Sequence, residues 1–189
     1  MTGKFPVIYA DPPWTYHNVG LNSAASNHYP TMATEAICAL PVPEITTANA
    51  VLFLWSSPPL LEDALQVMKA WGFSYKTNLV WDKDRIGTGF YIRSQHELVL
   101  LGVKGTGMCP EESRRPASIV RAERRRHSEK PEELYAVIES MYPGLPKVEL
   151  FARARRRGWE AWGNELEPPG ERSPPQAARR RLSHDPCGP

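Results

Sequence analysis

The chain has 189 residues, of which 41% are hydrophobic and 23% charged, with a formal net charge of +2. That length suits one domain with a substantial core, and the balance is that of a globular chain rather than a fibrous or wholly unfolded one. No apolar run approaches a membrane span, the N-terminus shows no signal-peptide core, and Cys38, Cys109 and Cys187 lack the spacing of a disulfide framework or zinc site, so a cytoplasmic setting with no metal is expected.

Phe5–Ala10 is a short apolar run that reads as a buried strand ending at a double proline. From His17 to Thr31 the composition turns to Asn, Ser, Gly and Ala, which predicts a surface loop. A short helix is predicted over Thr34–Leu40, with Thr34 as its N-cap, and Ala50–Trp55 reads as a central strand. Leu61, Ala64, Leu65, Met68 and Trp71 recur at helical spacing, and Gly72 supplies a stop. Strands follow over Tyr75–Trp81 and Glu97–Val103, joined by the polar linker Asp82–Ser94.

An irregular arginine-rich stretch covers Gly105–His127, with one short strand at Ala117–Val120. Pro131 fits a first helical position, Glu132 and Glu133 suit the positive end of the helix dipole, and Leu134, Val137, Ile138 and Met141 form an apolar face. Lys147–Phe151 and Trp159–Trp162 are the last strands. From Leu166 the chain carries six prolines and four arginines with few large apolar residues, which predicts a disordered tail over 166–189 after a domain at 1–165. Strands alternating with helices predict a mostly parallel α/β sheet, in which ligands sit at the carboxyl ends of the strands.

The sharpest chemical signal is Asp11-Pro12-Pro13-Trp14. Two prolines fix φ and remove two backbone donors, so the chain leaves the strand in a stiff turn. Such a turn can aim the Asp11 carboxylate and the Pro12 carbonyl at one amino group, which has two hydrogens to donate. Trp14 offers a ring on which a base could stack. These features describe a pocket for a flipped-out base bearing an exocyclic amine. Arginines at Arg114-Arg115, Arg121, Arg124 to Arg126, Arg153, Arg155 to Arg157 and Arg179 to Arg181 suit a polyanionic partner or a solvated surface.

The chain resembles the DPPW adenine methyltransferases, a group that includes the catalytic subunit of the eukaryotic messenger-RNA adenosine methyltransferase and compact bacterial and phage enzymes. The resemblance rests on the tetrad and on His28-Tyr29-Pro30-Thr31-Met32, Leu52-Phe53-Leu54-Trp55, Leu101-Gly102-Val103-Lys104-Gly105, Ser128-Glu129-Lys130-Pro131, Glu149-Leu150-Phe151-Ala152-Arg153 and Trp162-Gly163-Asn164-Glu165. It implies a Rossmann-like fold that uses S-adenosyl-L-methionine, with the motifs in permuted order. The catalytic strand comes first, and the cofactor strand comes late, at Val148–Phe151.

The implied catalytic residues are Asp11, Pro12, Pro13 and Trp14, with Tyr16, His17, Asn18 and Tyr29 around the incoming base. The implied cofactor residues are Ala10, Asp11, His96, Lys130, Phe151, Arg153, Asn164 and Glu165. His96 stands where the eukaryotic branch has a lysine for the methionine carboxylate; it can equally be a structural strand start. Lys130 can line the cofactor cleft or simply open a helix. Arg155 and Arg156 replace a His-Asn pair and are candidates for phosphate contacts. The implied reaction is methylation of adenine N6 in DNA by a monomer or homodimer. RNA as the polymer, and an inactive nucleic-acid-binding partner subunit, are the alternatives.

Overall fold

A computed structural model describes residues 4–16, 30–87, 91–124 and 129–166. Seven strands form one sheet in the order β5-β3-β4-β2-β1-β6-β7. They are β1 (Phe5–Ala10), β2 (Thr46–Ser56), β3 (Ser74–Asp82), β4 (His96–Lys104), β5 (Ile119–Arg121), β6 (Lys147–Leu150) and β7 (Trp159–Trp162). Strand β1 runs parallel to β2 and β6, β6 parallel to β7, and β3 parallel to β5. Only β4 is reversed, pairing antiparallel with β2 and β3. The carboxyl ends of six strands therefore share one rim with the first residues of β4.

Both faces of the sheet are covered, which is why the central strands read as continuous apolar runs. Ile8, Leu52, Leu54, Leu100, Val148 and Leu150 point to one face, where α1 (Thr34–Cys38) and α3 (Leu61–Ala70) supply Ile37, Ala64, Val67, Met68 and Trp71. The fully buried Trp71 donates its indole N–H to the Ile37 carbonyl at 3.0 Å, tying the end of α3 to α1. Each of the larger side chains among them contributes about 1.5–3 kcal/mol through burial. Val7, Tyr9, Val51, Phe53, Trp55, Val99 and Trp159 point the other way, against Leu134, Ile138 and Met141 of α4 (Glu132–Met141).

Several local expectations shift. The first helix ends at Cys38, and Ala33 is its N-cap; Thr34 is already helical and donates its hydroxyl to Asp63 at 2.6 Å. A short helix, α2 (Val42–Ile45), follows in a segment that gave no sequence signal. Pro131 is the N-cap of α4, one position earlier than its sequence suggested. In α3 the buried stripe is Ala64, Val67, Met68 and Trp71, while Leu61 and Leu65 are exposed at its margin. Phe151 is not the last residue of β6: its φ of 63° breaks the strand at Leu150. The predicted tail lies almost wholly outside the described residues.

Under α4 sits a polar knot. The Tyr135 hydroxyl donates to Glu149 at 2.8 Å, and burial pushes the Glu149 carboxyl up to about 7. A group protonated in the folded chain but ionised in the unfolded one lowers stability as pH rises between the two pKa values. From an ordinary 4.5 to about 7, that loss amounts to about 3 kcal/mol. Melting followed from pH 4.5 to 8 is expected to show Glu149→Gln gaining on the wild type as pH rises. Parallel curves would exclude this carboxyl as the cause.

Candidate active site

The turn after β1 is held from three sides. The Trp14 N–H donates to the Pro12 carbonyl at 2.9 Å, the Met32 N–H to the Pro13 carbonyl at 2.7 Å, and the Thr15 N–H to the Met32 carbonyl at 3.2 Å. Trp14 is buried, at 8% exposure, and its indole N–H donates to the Trp55 carbonyl at 3.1 Å. The ring is thus an anchor pinning the turn to the end of β2. The Pro12 carbonyl already accepts one hydrogen bond and keeps a second lone pair.

What the turn positions is Asp11, whose carboxylate lies 3.2 Å from the Lys130 ammonium. Lys130 also reaches Glu97 at 2.9 Å and lies 4.6 Å from the centre of the Trp55 ring. Lys83 closes the series, 3.1 Å from the other Glu97 oxygen. The result is an alternating row across the rim: Asp11, Lys130, Glu97, Lys83. All four side chains are at most a quarter exposed. Three strand ends and the approach to α4 supply it, so it exists only in the folded sheet.

The row sets the charge states. Burial pushes the Asp11 carboxyl up, partly offset by Lys130 and reinforced by Glu97. Burial works in the same upward direction on Glu97, but Lys130 and Lys83 outweigh it and hold that carboxyl below its ordinary value. Burial alone would lower Lys130; Asp11 and Glu97 outweigh it and hold the ammonium above its usual range. Asp11 is accordingly the least comfortable charge in the row, and the one beside the strand-end turn.

Of the residues singled out in the sequence, Ala10, Asp11, Pro12, Pro13, Lys130, Phe151, Arg153, Asn164 and Glu165 all lie at this carboxyl rim. Tyr16 is there too, with its hydroxyl donating to Ser57 at 2.9 Å. His17, Asn18 and Tyr29 lie outside the described residues. Phe151 meets Trp162 edge to face at 5.6 Å, and Arg153 lies 3.5 Å from Glu165, so the ends of β6 and β7 face each other. Gly163 makes this approach possible: a Cβ there would collide with the Ala152 backbone.

His96 is at the rim but points to the α3 face, because successive strand residues alternate. Its neighbour Glu97 faces Lys130. Glu97, Lys83 and Trp55 are the residues sequence reasoning passed over. A charged residue opening an otherwise apolar strand was the available signal for Glu97.

The arginine clusters separate as well. Arg114 and Arg115 lie by the far end of α4, where Arg114 donates to the Ser140 carbonyl at 3.3 Å and pairs with Glu111 at 3.1 Å. Arg156 does not reach toward the rim for phosphate. It pairs with Glu132, lies 3.7 Å from Glu139, and stacks 4.0 Å from the Tyr135 ring centre, clamping the segment after β6 onto α4. Arg153, Arg155 and Arg157 remain at the surface.

An α/β sheet with one reversed strand, carrying an acidic proline turn and an ion row at its carboxyl rim, is a Rossmann-like methyltransferase framework. The sequence profile described as MT-A70 matches residues 5–165, nearly all of that framework. The type II methyltransferase M.MunI of a Mycoplasma species is 39% identical over 185 aligned residues, covering 86% of this chain and 78% of that protein. The N(6)-adenosine-methyltransferase MT-A70-like protein of Arabidopsis thaliana is 34% identical, covering 87% of this chain and 24% of its own length. The human N(6)-adenosine-methyltransferase catalytic subunit METTL3 is 31% identical, covering 87% and 29%. The chain belongs to the MT-A70 family. It thus spans most of the type II enzyme but about a quarter of the adenosine enzymes.

Proposed function

We propose that the chain transfers a methyl group from S-adenosyl-L-methionine to the N6 amine of adenine in DNA, with Asp11 as the catalytic carboxylate. The observation that carries this reading is the Asp11 side chain, raised by burial and held by Lys130 at the end of β1. DNA is favoured over RNA because similarity is higher and longer to the type II methyltransferase than to the enzymes named for adenosine.

The donor set fits the cofactor. Such a molecule presents an ammonium, a carboxylate, ribose hydroxyls and a purine. The rim offers carboxylates at Asp11 and Glu165, cations at Lys130 and Arg153, an amide at Asn164 and a ring at Phe151. When bound, the cofactor supplies a methyl group already activated on a sulfonium. Because that methyl group arrives already activated, this reading calls for no metal.

Lys130 occupies one Asp11 oxygen, and the second is left to accept from the amine. The free lone pair of the Pro12 carbonyl accepts the other amine hydrogen. Gripping both hydrogens draws the nitrogen out of conjugation with the ring, so that its own lone pair can attack. The nitrogen would gain positive charge as it took the methyl group, and Asp11 would stabilise that charge until the extra proton passed to solvent. Tyr16, exposed at the edge of the turn, packs on the base in this reading.

Residues 1–165 form the catalytic unit in this reading, acting in the cytoplasm as a monomer or homodimer; no helix of the described residues is long and apolar enough to cross a membrane. Incubation with labelled methyl donor and duplex DNA, denatured DNA or RNA, followed by nucleoside mass spectrometry, tests the proposal. Label in N6-methyladenine from DNA is the expected result. Label in cytosine, or on no nucleic acid, would sink it, and label in RNA alone would reassign the polymer.

A further inference from the structure

The linker between β3 and β4 is a stalk rooted in the ion row. The Lys83 N–H donates to the Gln95 carbonyl at 2.9 Å, and the Gly87 N–H to the Ser94 carbonyl at 2.8 Å. Asp82 grips its base, accepting from the Gln95 side chain at 3.0 Å and the Asp84 N–H at 3.2 Å. The two arms approach so closely that a Cβ on Gly87 would lie 2.7 Å from the Ser94 carbonyl oxygen. The same Lys83 whose backbone closes the stalk contacts Glu97 through its side chain.

This stiff stalk carries large apolar side chains into water. Tyr91 is 101% exposed, Ile92 81% and Ile86 55%. Arginines flank them: Arg85, 3.5 Å from Asp84 yet 76% exposed at its side chain, precedes Ile86, and Arg93 follows Ile92 with its Nε–H on the Gly87 carbonyl at 3.2 Å. Tyr91 is four residues from Gln95, so it lies within about 14 Å of the stalk's base.

Nothing within the described residues covers these side chains, and flanking cations favour a polyanion over an apolar protein face. A base pocket at the rim requires its adenine to leave the stack, which opens a gap in a duplex. Apolar side chains inserted at such a gap hold neighbouring base pairs apart. We propose that Tyr91 and Ile92 form a wedge that enters duplex DNA beside the extruded adenine, with Arg85 and Arg93 on the flanking phosphates. This rests on the adenine methyltransferase reading above, and it makes the preferred substrate a duplex.

The test compares wild type with a Tyr91→Ala/Ile92→Ala variant and a conservative Tyr91→Phe/Ile92→Leu variant. Each is given sheared unmethylated genomic DNA, native or heat-denatured. The alanine pair is expected to lose about 10-fold or more of its kcat/KM on native DNA, as losing base-stacking contacts implies, and under about 3-fold on denatured DNA. The conservative pair retains both activities. Equal losses on the two substrates, or no loss, overturn the wedge. So does a shift in oligomeric state by light scattering, which would make the tip a subunit contact. If wild type methylates only denatured DNA or RNA, the wedge fails while the chemistry stands; if it methylates no nucleic acid, the underlying reading fails.

Discussion

Asp11→Asn is expected to lower kcat about 100- to 1,000-fold, the range found when one preorganised electrostatic partner of a transition state is removed. The amide keeps the size of the side chain and an acceptor oxygen, but not the charge that meets the developing cation. Stability should move the other way. Burial already holds this carboxyl above its ordinary value, so the ionised form opposes folding at neutral pH, and a neutral isostere relieves that cost. The same shift predicts the acid limb of the rate profile: activity falls as pH drops through the raised Asp11 pKa, and the asparagine variant lacks that limb. Steady-state kinetics with saturating methyl donor, beside a thermal melt, check all three. Turnover within about 3-fold of wild type would remove Asp11 from the mechanism.

Lys130→Met attacks the same row from its centre. It strands Asp11 beside Glu97 with only the more distant Arg153 and the Glu97 partner Lys83 to offset them, and breaking a largely buried ion set in this way costs about 3 kcal/mol. For a chain of this size that corresponds to a melting point lower by about 6–12 °C. Because uncompensated carboxylates are the cause, the deficit shrinks as pH falls and they protonate. Activity drops as well, since Asp11 loses the cation that keeps it ionised. Adding Glu97→Gln to Lys130→Met removes one stranded charge and should recover much of the stability but little turnover, a coupling that a double-mutant cycle reads directly. If the two substitutions added independently, the row would not be a unit.

Continuous apolar runs such as Phe5–Ala10 and Ala50–Trp55 were legible as strands because both of their faces are buried, and the tetrad was legible because two prolines restrict a chain whatever its context. Direction was not legible. Side-chain periodicity is identical for a strand run either way, so the reversal of β4 left no mark, and with it the placement of Glu97 rather than His96 beside Lys130. Burial of a single ring is equally silent: nothing in the sequence marks Trp14 as an anchor of the turn, and its bond to the Trp55 carbonyl reveals that part of its role. The arginine run misled because its members look alike. The clue lay on α4, where Glu132, Tyr135 and Glu139 recur at helical spacing and make a stripe that one guanidinium, Arg156, can lie along.

The reversed strand has a consequence for how such an enzyme can change its target. Since β3 arrives at the rim and β4 leaves from it, the segment between them returns to where it started without crossing the sheet or supplying a helix. Its two ends are fixed by Asp82 and Gln95, while Ile86, Tyr91 and Ile92 between them stand exposed. Under the wedge proposal, a graft of residues 85–94 from one relative onto another is expected to exchange the surface that meets the polymer while Asp11, Lys130 and the sheet keep their places. On that proposal the surface that meets the polymer and the residues that carry the chemistry are separate parts of this chain, joined at Lys83 and Glu97.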